Sequence, residues 1–112
     1  TSVLAAAAAA HDRRVERIAA VDAELTALDR TERIARDLIE ATADETPDGE
    51  TRLESLAHRC RRHTLRRQAT LAKRDRGADA FPADCYADLS DDDPVLSVLD
   101  TVRALLPAVD DD

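Results

Sequence analysis

The sequence predicts an all-α protein: a long antiparallel helical hairpin with coiled-coil-like packing, and a short third helix folded against it. Three observations carry that expectation. Apolar residues recur at alternating spacings of three and four, not two. Glycine and proline are confined to a few short stretches, with two glycines and four prolines in 112 residues. The apolar material is Leu, Val, Ile and many alanines, with one Phe, one Tyr and no Trp or Met, which suits helices that approach closely and not a bulky sheet. The length fits one domain spanning 1–112, with a small core.

The first helix is expected over 3–42, a stretch free of Gly and Pro. Val15, Ile18, Val21, Leu25, Leu28, Thr31, Ala35 and Leu38 form its seam. Asp29 with Arg33 and Glu32 with Arg36 stand acid before base at i, i+4, the arrangement that suits a solvated face. A helix of about 60 Å cannot bury its own stripe.

The stretch "ADETPDGE", 43–50, breaks the pattern: Pro47 and Gly49 stop one helix, and Thr46 is placed to cap the next. The second helix is expected over 47–76, presenting Leu53, Leu56 or Ala57, Cys60, Thr64, Gln68 and Leu71, with Leu65 and Ala72 beside them. Gly77 ends it. An irregular connection follows over 77–93, pinned to the hairpin by its two aromatic residues, Phe81 and Tyr86. The third helix is expected over 94–106. Asp93 or a neighbour caps it, Pro94 opens it, Asp91 to Asp93 suit its positive end, and Val95, Leu99, Val102 and Leu106 line one face. An acidic tail closes the chain over 107–112.

The net charge of −8 is unevenly spread. Residues 50–76 carry nine bases against three acids, whereas 77–112 carry ten aspartates against Arg103. The nearest partner for the bases is therefore the protein's own acidic segment. Fifteen arginines against a single lysine, seventeen aspartates and no asparagine match the composition of proteins from extreme halophiles. The segment "VLAAAAAA", 3–10, is too short and too weakly apolar to span a bilayer and lacks a basic flank in front of it. A cytoplasmic location follows as the expectation, with no membrane partner and with Cys60 and Cys85 as reduced thiols.

The run "HRCRRHTLRRQATLAKR", 58–74, allows two specific chemistries. Cys60 and His63 share a helical face, and His58 and Cys85 would complete a tetrahedral zinc or thiol-sensor site. The simpler expectation is that Cys60 is a small buried seam residue, so that no metal and no cofactor is implied. Arg59, Arg62, Arg66 and Lys73, with Arg61, Arg67, Arg74 and Arg76, could instead track a phosphate backbone. That reading is the less favoured: stacking aromatics are missing from the run, and six phosphate contacts lose on the order of eight decades of affinity between ~0.1 M and ~3 M salt. No glycine-rich phosphate loop, nucleophile elbow or H-E-x-x-H occurs, and "DLSDDD", 88–93, lacks the glycine and terminal glutamate of an EF-hand loop. The expectation is a non-enzymatic scaffold or interaction module with no small-molecule substrate in evidence. Its contact surface would be Val15, Ile18, Val21, Leu25 and Leu28, open to a protein partner or to a second copy in a homodimer.

"C…RQATL", Cys60 with Arg67 to Leu71, and "CYADLSDDDPVLSVLDTV", 85–102, resemble a family of short haloarchaeal helical proteins of unknown function. The likeness covers the C-terminal half. It implies a long charged helix, a cysteine-bearing second helix, a tyrosine-containing loop and a Pro-Val-Leu helix start, and it brings no catalytic residues with it.

Overall fold

The computed structural model describes residues 2–82, 84–88 and 93–108. Three helices follow one another: α1 (Val3–Ala43), α2 (Pro47–Asp75) and α3 (Pro94–Ala104). The described residues contain no strand. α1 and α2 form the expected hairpin and α3 packs on both of them. The long axis of 67 Å is close to the ~60 Å that a helix of α1's length spans.

Each helix end has a local cause. The Ser2 hydroxyl accepts the Ala5 amide at 3.0 Å and caps α1. At the hairpin turn, Thr46 occupies the N-cap position of α2 without a side-chain cap. Its hydroxyl donates to Asp44 Oδ1 at 2.6 Å instead, and its amide donates to the same oxygen at 3.0 Å. Asp44, not Thr46, therefore organises the turn, as an Asx residue bonding two positions ahead. Gly49 does not stop α1. It lies in the first turn of α2, buried so close to the Asp44 carbonyl that a Cβ would stand 2.3 Å from that oxygen. Gly77 ends α2 as expected, with φ +71° just beyond the helix, and the Ala78 amide returns to the Lys73 carbonyl at 2.8 Å. Asp93 caps α3 by accepting the Leu96 amide at 3.0 Å. Asp91, Asp92, part of the 77–93 connection and the final aspartates lie outside the described residues.

The apolar core is compact. Ile34 and Leu38 from α1, Leu56 and Cys60 from α2, and Val95, Leu99 and Val102 from α3 form one buried cluster, with Ala27, Leu28, Ala35, Leu53 and Leu106 packed around it. α3 thus behaves as its sequence implied. α1 does not: its buried face is Glu24, Thr31, Ile34, Leu38 and Ala41, whereas Val15, Ile18 and Leu25 are 51%, 61% and 58% exposed. The continuous seam expected from Val15 to Leu38 is in fact two stripes. Leu25 precedes Ile34 by nine residues, and at ~100° per residue that is half a turn out of phase. On α2 the seam turns at its end from Gln68, which is exposed, onto Arg67, which is buried, and Leu65 and Ala72 are exposed.

Candidate functional site

Arg67 is the centre of a buried ionic cluster built from one residue of each helix. Glu24 on α1, Arg67 on α2 and Asp93 at the head of α3 have side chains 3%, 3% and 8% exposed. Arg67 donates from Nη1 to Glu24 Oε1 and from Nη2 to Glu24 Oε2 at 2.7 Å. On its other edge it donates from Nε to Asp93 Oδ2 at 3.0 Å and from Nη2 to Asp93 Oδ1 at 2.6 Å. The guanidinium is therefore gripped in fork geometry on two sides. Two further donors converge on Glu24: Arg74 Nη2 at 2.9 Å and the Tyr86 hydroxyl.

The electrostatics follow from this packing. Burial by itself pushes the Glu24 carboxyl up, but hydrogen bonds from Arg67, Tyr86 and Arg74 more than offset it, and the group is held at about 2 against an ordinary 4.5. Burial likewise penalises the Arg67 charge, and the Asp93 and Glu24 carboxylates reverse that penalty and hold Arg67 above its ordinary range. Burial and then the Glu24 carboxylate raise the Tyr86 phenol, which stays neutral and donating.

The loop residues are secured as the sequence suggested. Phe81 and Tyr86 have ring centroids 5.7 Å apart, and the Arg74 guanidinium lies 4.1 Å above the Phe81 ring. Arg74 Nε is buried 3.5 Å from Asp79 Oδ1 without completing a hydrogen bond.

The candidate metal ligands have different environments. Cys60 is fully buried and its thiol points at the Leu99 carbonyl at 3.5 Å; burial raises it and keeps it protonated. His63 is half-buried, while His58 and Cys85 are exposed and both cysteines are free. Among the described residues no three His, Cys, Asp or Glu side chains gather as a metal site. The basic run is divided as well. Arg59 pairs with Asp37 at 2.8 Å, and Arg67 and Arg74 are committed to the ionic cluster. Arg52, nearer the turn, reaches Glu40 and Asp44 at 3.5 Å. Among the described residues the α2 bases thus pair with acids of α1 and, as the charge distribution suggested, with Asp79 and Asp93 of the acidic segment.

Sequence reasoning missed the ionic cluster. It gave Glu24 no role and counted Arg67 among the possible phosphate contacts. The available signal was the lapse of the α2 seam after Thr64, where no apolar residue stands at either the third or the fourth following position.

These features define a three-helix protein whose helices meet at a buried arginine–carboxylate cluster. The chain belongs to the DUF7260 family, a domain of unknown function, whose model matches residues 1–109. The match extends well beyond the C-terminal half. No curated protein and no solved structure matches the chain. Among the described residues no helix is long and apolar enough to cross a membrane.

Proposed function

We propose that the protein is a non-enzymatic helical interaction module that pairs with a second copy of itself through the outward stripe of α1. The observation that carries this is a heptad series on the face of α1 turned away from the core. Leu4, Ile18, Leu25 and Ile39 are separated by multiples of seven residues and are 82%, 61%, 58% and 69% exposed. Val15 stands three residues before Ile18 and widens the stripe; Ala8 and His11 continue it toward the N-terminus. From Ser2 to Ala19 every residue is exposed except the half-buried Ala10. A helix of that length gains little from propensity alone in water and is normally supported by packing on an apolar face. A seven-residue repeat is the spacing that allows two helices to keep such a seam facing each other. Val21 and Leu28 are partly buried and flank the stripe on the side nearer the bundle.

Light scattering on the full chain in ~3 M and ~0.15 M KCl tests this directly. Twice the 12.2 kDa chain mass is the expected result, with Ile18→Asp reverting to one chain while its helical content and thermal midpoint in the dilute limit stay as in the parent. A parent protein that remains one chain across the micromolar range overturns the reading.

A further inference from the structure

A cleft of about 320 Å³ lies between α1 and α2, beside the ionic cluster and on a different face of α1 from the heptad stripe. Its α2 wall is His63, Arg66, Arg67, Thr70, Lys73 and Arg74. Successive spacings of three, one, three, three and one put all six on one side of the helix. From α1 come Arg30 and the small residues Ala23 and Ala27, and Val95 of α3 completes an apolar floor.

Among the described residues the charges around this cleft do not balance. Deep in it, Arg67 and Arg74 are matched by Glu24 and Asp93, with Asp79 beside Arg74. At the rim, Arg30, Arg66 and Lys73 are exposed, and their side chains make no ion pair or hydrogen bond with any described residue. Among the described residues, three rim cations thus face one surplus carboxylate, an excess of about two positive charges. His63, on the same wall, responds to that field: burial and then the guanidiniums of Arg66 and Arg30 lower it, so it is neutral and can donate or accept a hydrogen bond.

From this geometry we infer that the cleft is a binding site for a compact phosphate-bearing small molecule. The excess of two charges suits the dianion of a phosphate monoester better than a single carboxylate. The forks of Arg30 and Arg66 match phosphate oxygens bidentately, and Lys73 adds a point charge. The cleft volume stands at the small end of ligand sites, ~300–1,000 Å³, so the ligand is compact, and the alanine and valine floor accepts a short organic body. Buried Arg67 and half-buried Arg74, already held by carboxylates, fix the wall on which the rim bases stand. The inference is independent of self-association through α1.

The test is calorimetric titration of the full chain with inorganic pyrophosphate, with citrate as a carboxylate of comparable charge. Saturable binding at one site per chain is expected, with citrate weaker. The double variant Arg66→Gln, Lys73→Gln should weaken pyrophosphate about tenfold or more, while Arg62→Gln, on α2 but outside the cleft, should leave it unchanged. All three residues are exposed, so the variants should fold like the parent. Absence of saturable binding overturns the inference. So does equal weakening by Arg62→Gln, which would mean a diffuse basic surface, and so does citrate binding as tightly as pyrophosphate. Binding that emerges only after Asp110, Asp111 and Asp112 are changed to asparagine overturns it too, since the chain's own carboxylates would then be the occupant.

Discussion

The bundle has two buried centres of opposite chemistry, one apolar around Ile34, Cys60 and Leu99, the other ionic around Arg67. Each draws residues from all three helices. The apolar centre is held by area and shape, so its members can be exchanged for others of similar volume at modest cost. The ionic centre has no such tolerance, because Arg67, Glu24 and Asp93 are all out of water and each is acceptable only while the others are present. A one-residue slip of any helix would leave apolar contacts of some kind, but it would strand a buried charge. A division of labour is the expected consequence: the apolar cluster should supply most of the folding free energy, and the ionic cluster should select the register in which the helices meet.

The sharpest way to break that distinction is to remove one member from each centre. Arg67→Ala leaves Asp93 without its cation and Glu24 with only Arg74 and Tyr86, and should destabilise by about 3–5 kcal/mol, a large share of the stability of a domain of this size. Leu99→Ala, which opens a cavity in the apolar centre, should cost about 2–5 kcal/mol. The two differ in how they are rescued. Adding Glu24→Gln to Arg67→Ala should recover part of the loss because the buried site then holds one carboxylate in place of two, whereas adding it to Leu99→Ala should deepen the loss. Denaturant unfolding of the four variants measures this, and equal effects of Glu24→Gln in both backgrounds would erase the distinction.

Acid separates the centres without mutation. Glu24 titrates at about 2 in the folded chain against an ordinary 4.5. A depressed carboxylate contributes stability that is present above the unfolded value and lost as pH falls through the folded one. Stability should therefore decline between about pH 4.5 and 2, with Glu24 accounting for roughly 3 kcal/mol of the change. In Glu24→Gln the decline over the same interval should be shallower by about that amount, measured by urea unfolding at each pH. An unchanged acid slope would show that Glu24 is not held as its hydrogen bonds imply.

How much of this was legible in the sequence depended on whether a residue's role was local. Helix ends were legible because Pro47, Gly77, Asp93 and Pro94 act through their own backbone or the next turn. α3 was legible because it has one apolar face. α1 was harder. Its two stripes join through Leu25 and Leu28 into an unbroken series of threes and fours, and only the landing position of α2 decides which stripe is buried. The ionic cluster was least legible, since Glu24, Arg67 and Asp93 are far apart in the chain and each has an ordinary local explanation. Tyr86 was anticipated as an anchor for its ring, and it anchors equally through its hydroxyl.

That hydroxyl provides the smallest of the expected effects. Tyr86→Phe keeps the ring against Phe81 and removes one donor to Glu24 Oε2. Because Arg67 and Arg74 still hold the carboxylate, the cost should be near that of a single hydrogen bond, about 1 kcal/mol, well below that of Arg67→Ala. Two titrations sharpen it. With one donor gone Glu24 should rise, moving the acid transition upward. In the alkaline direction the raised Tyr86 phenol contributes stability that is fully present below its ordinary 10 and is lost as pH climbs beyond it. The variant should lack that alkaline component. Tyr86 is the chain's one tyrosine, so tyrosinate absorbance of the parent reports its ionisation directly; a midpoint at the ordinary value would mean that the loop holds the bundle through its rings alone.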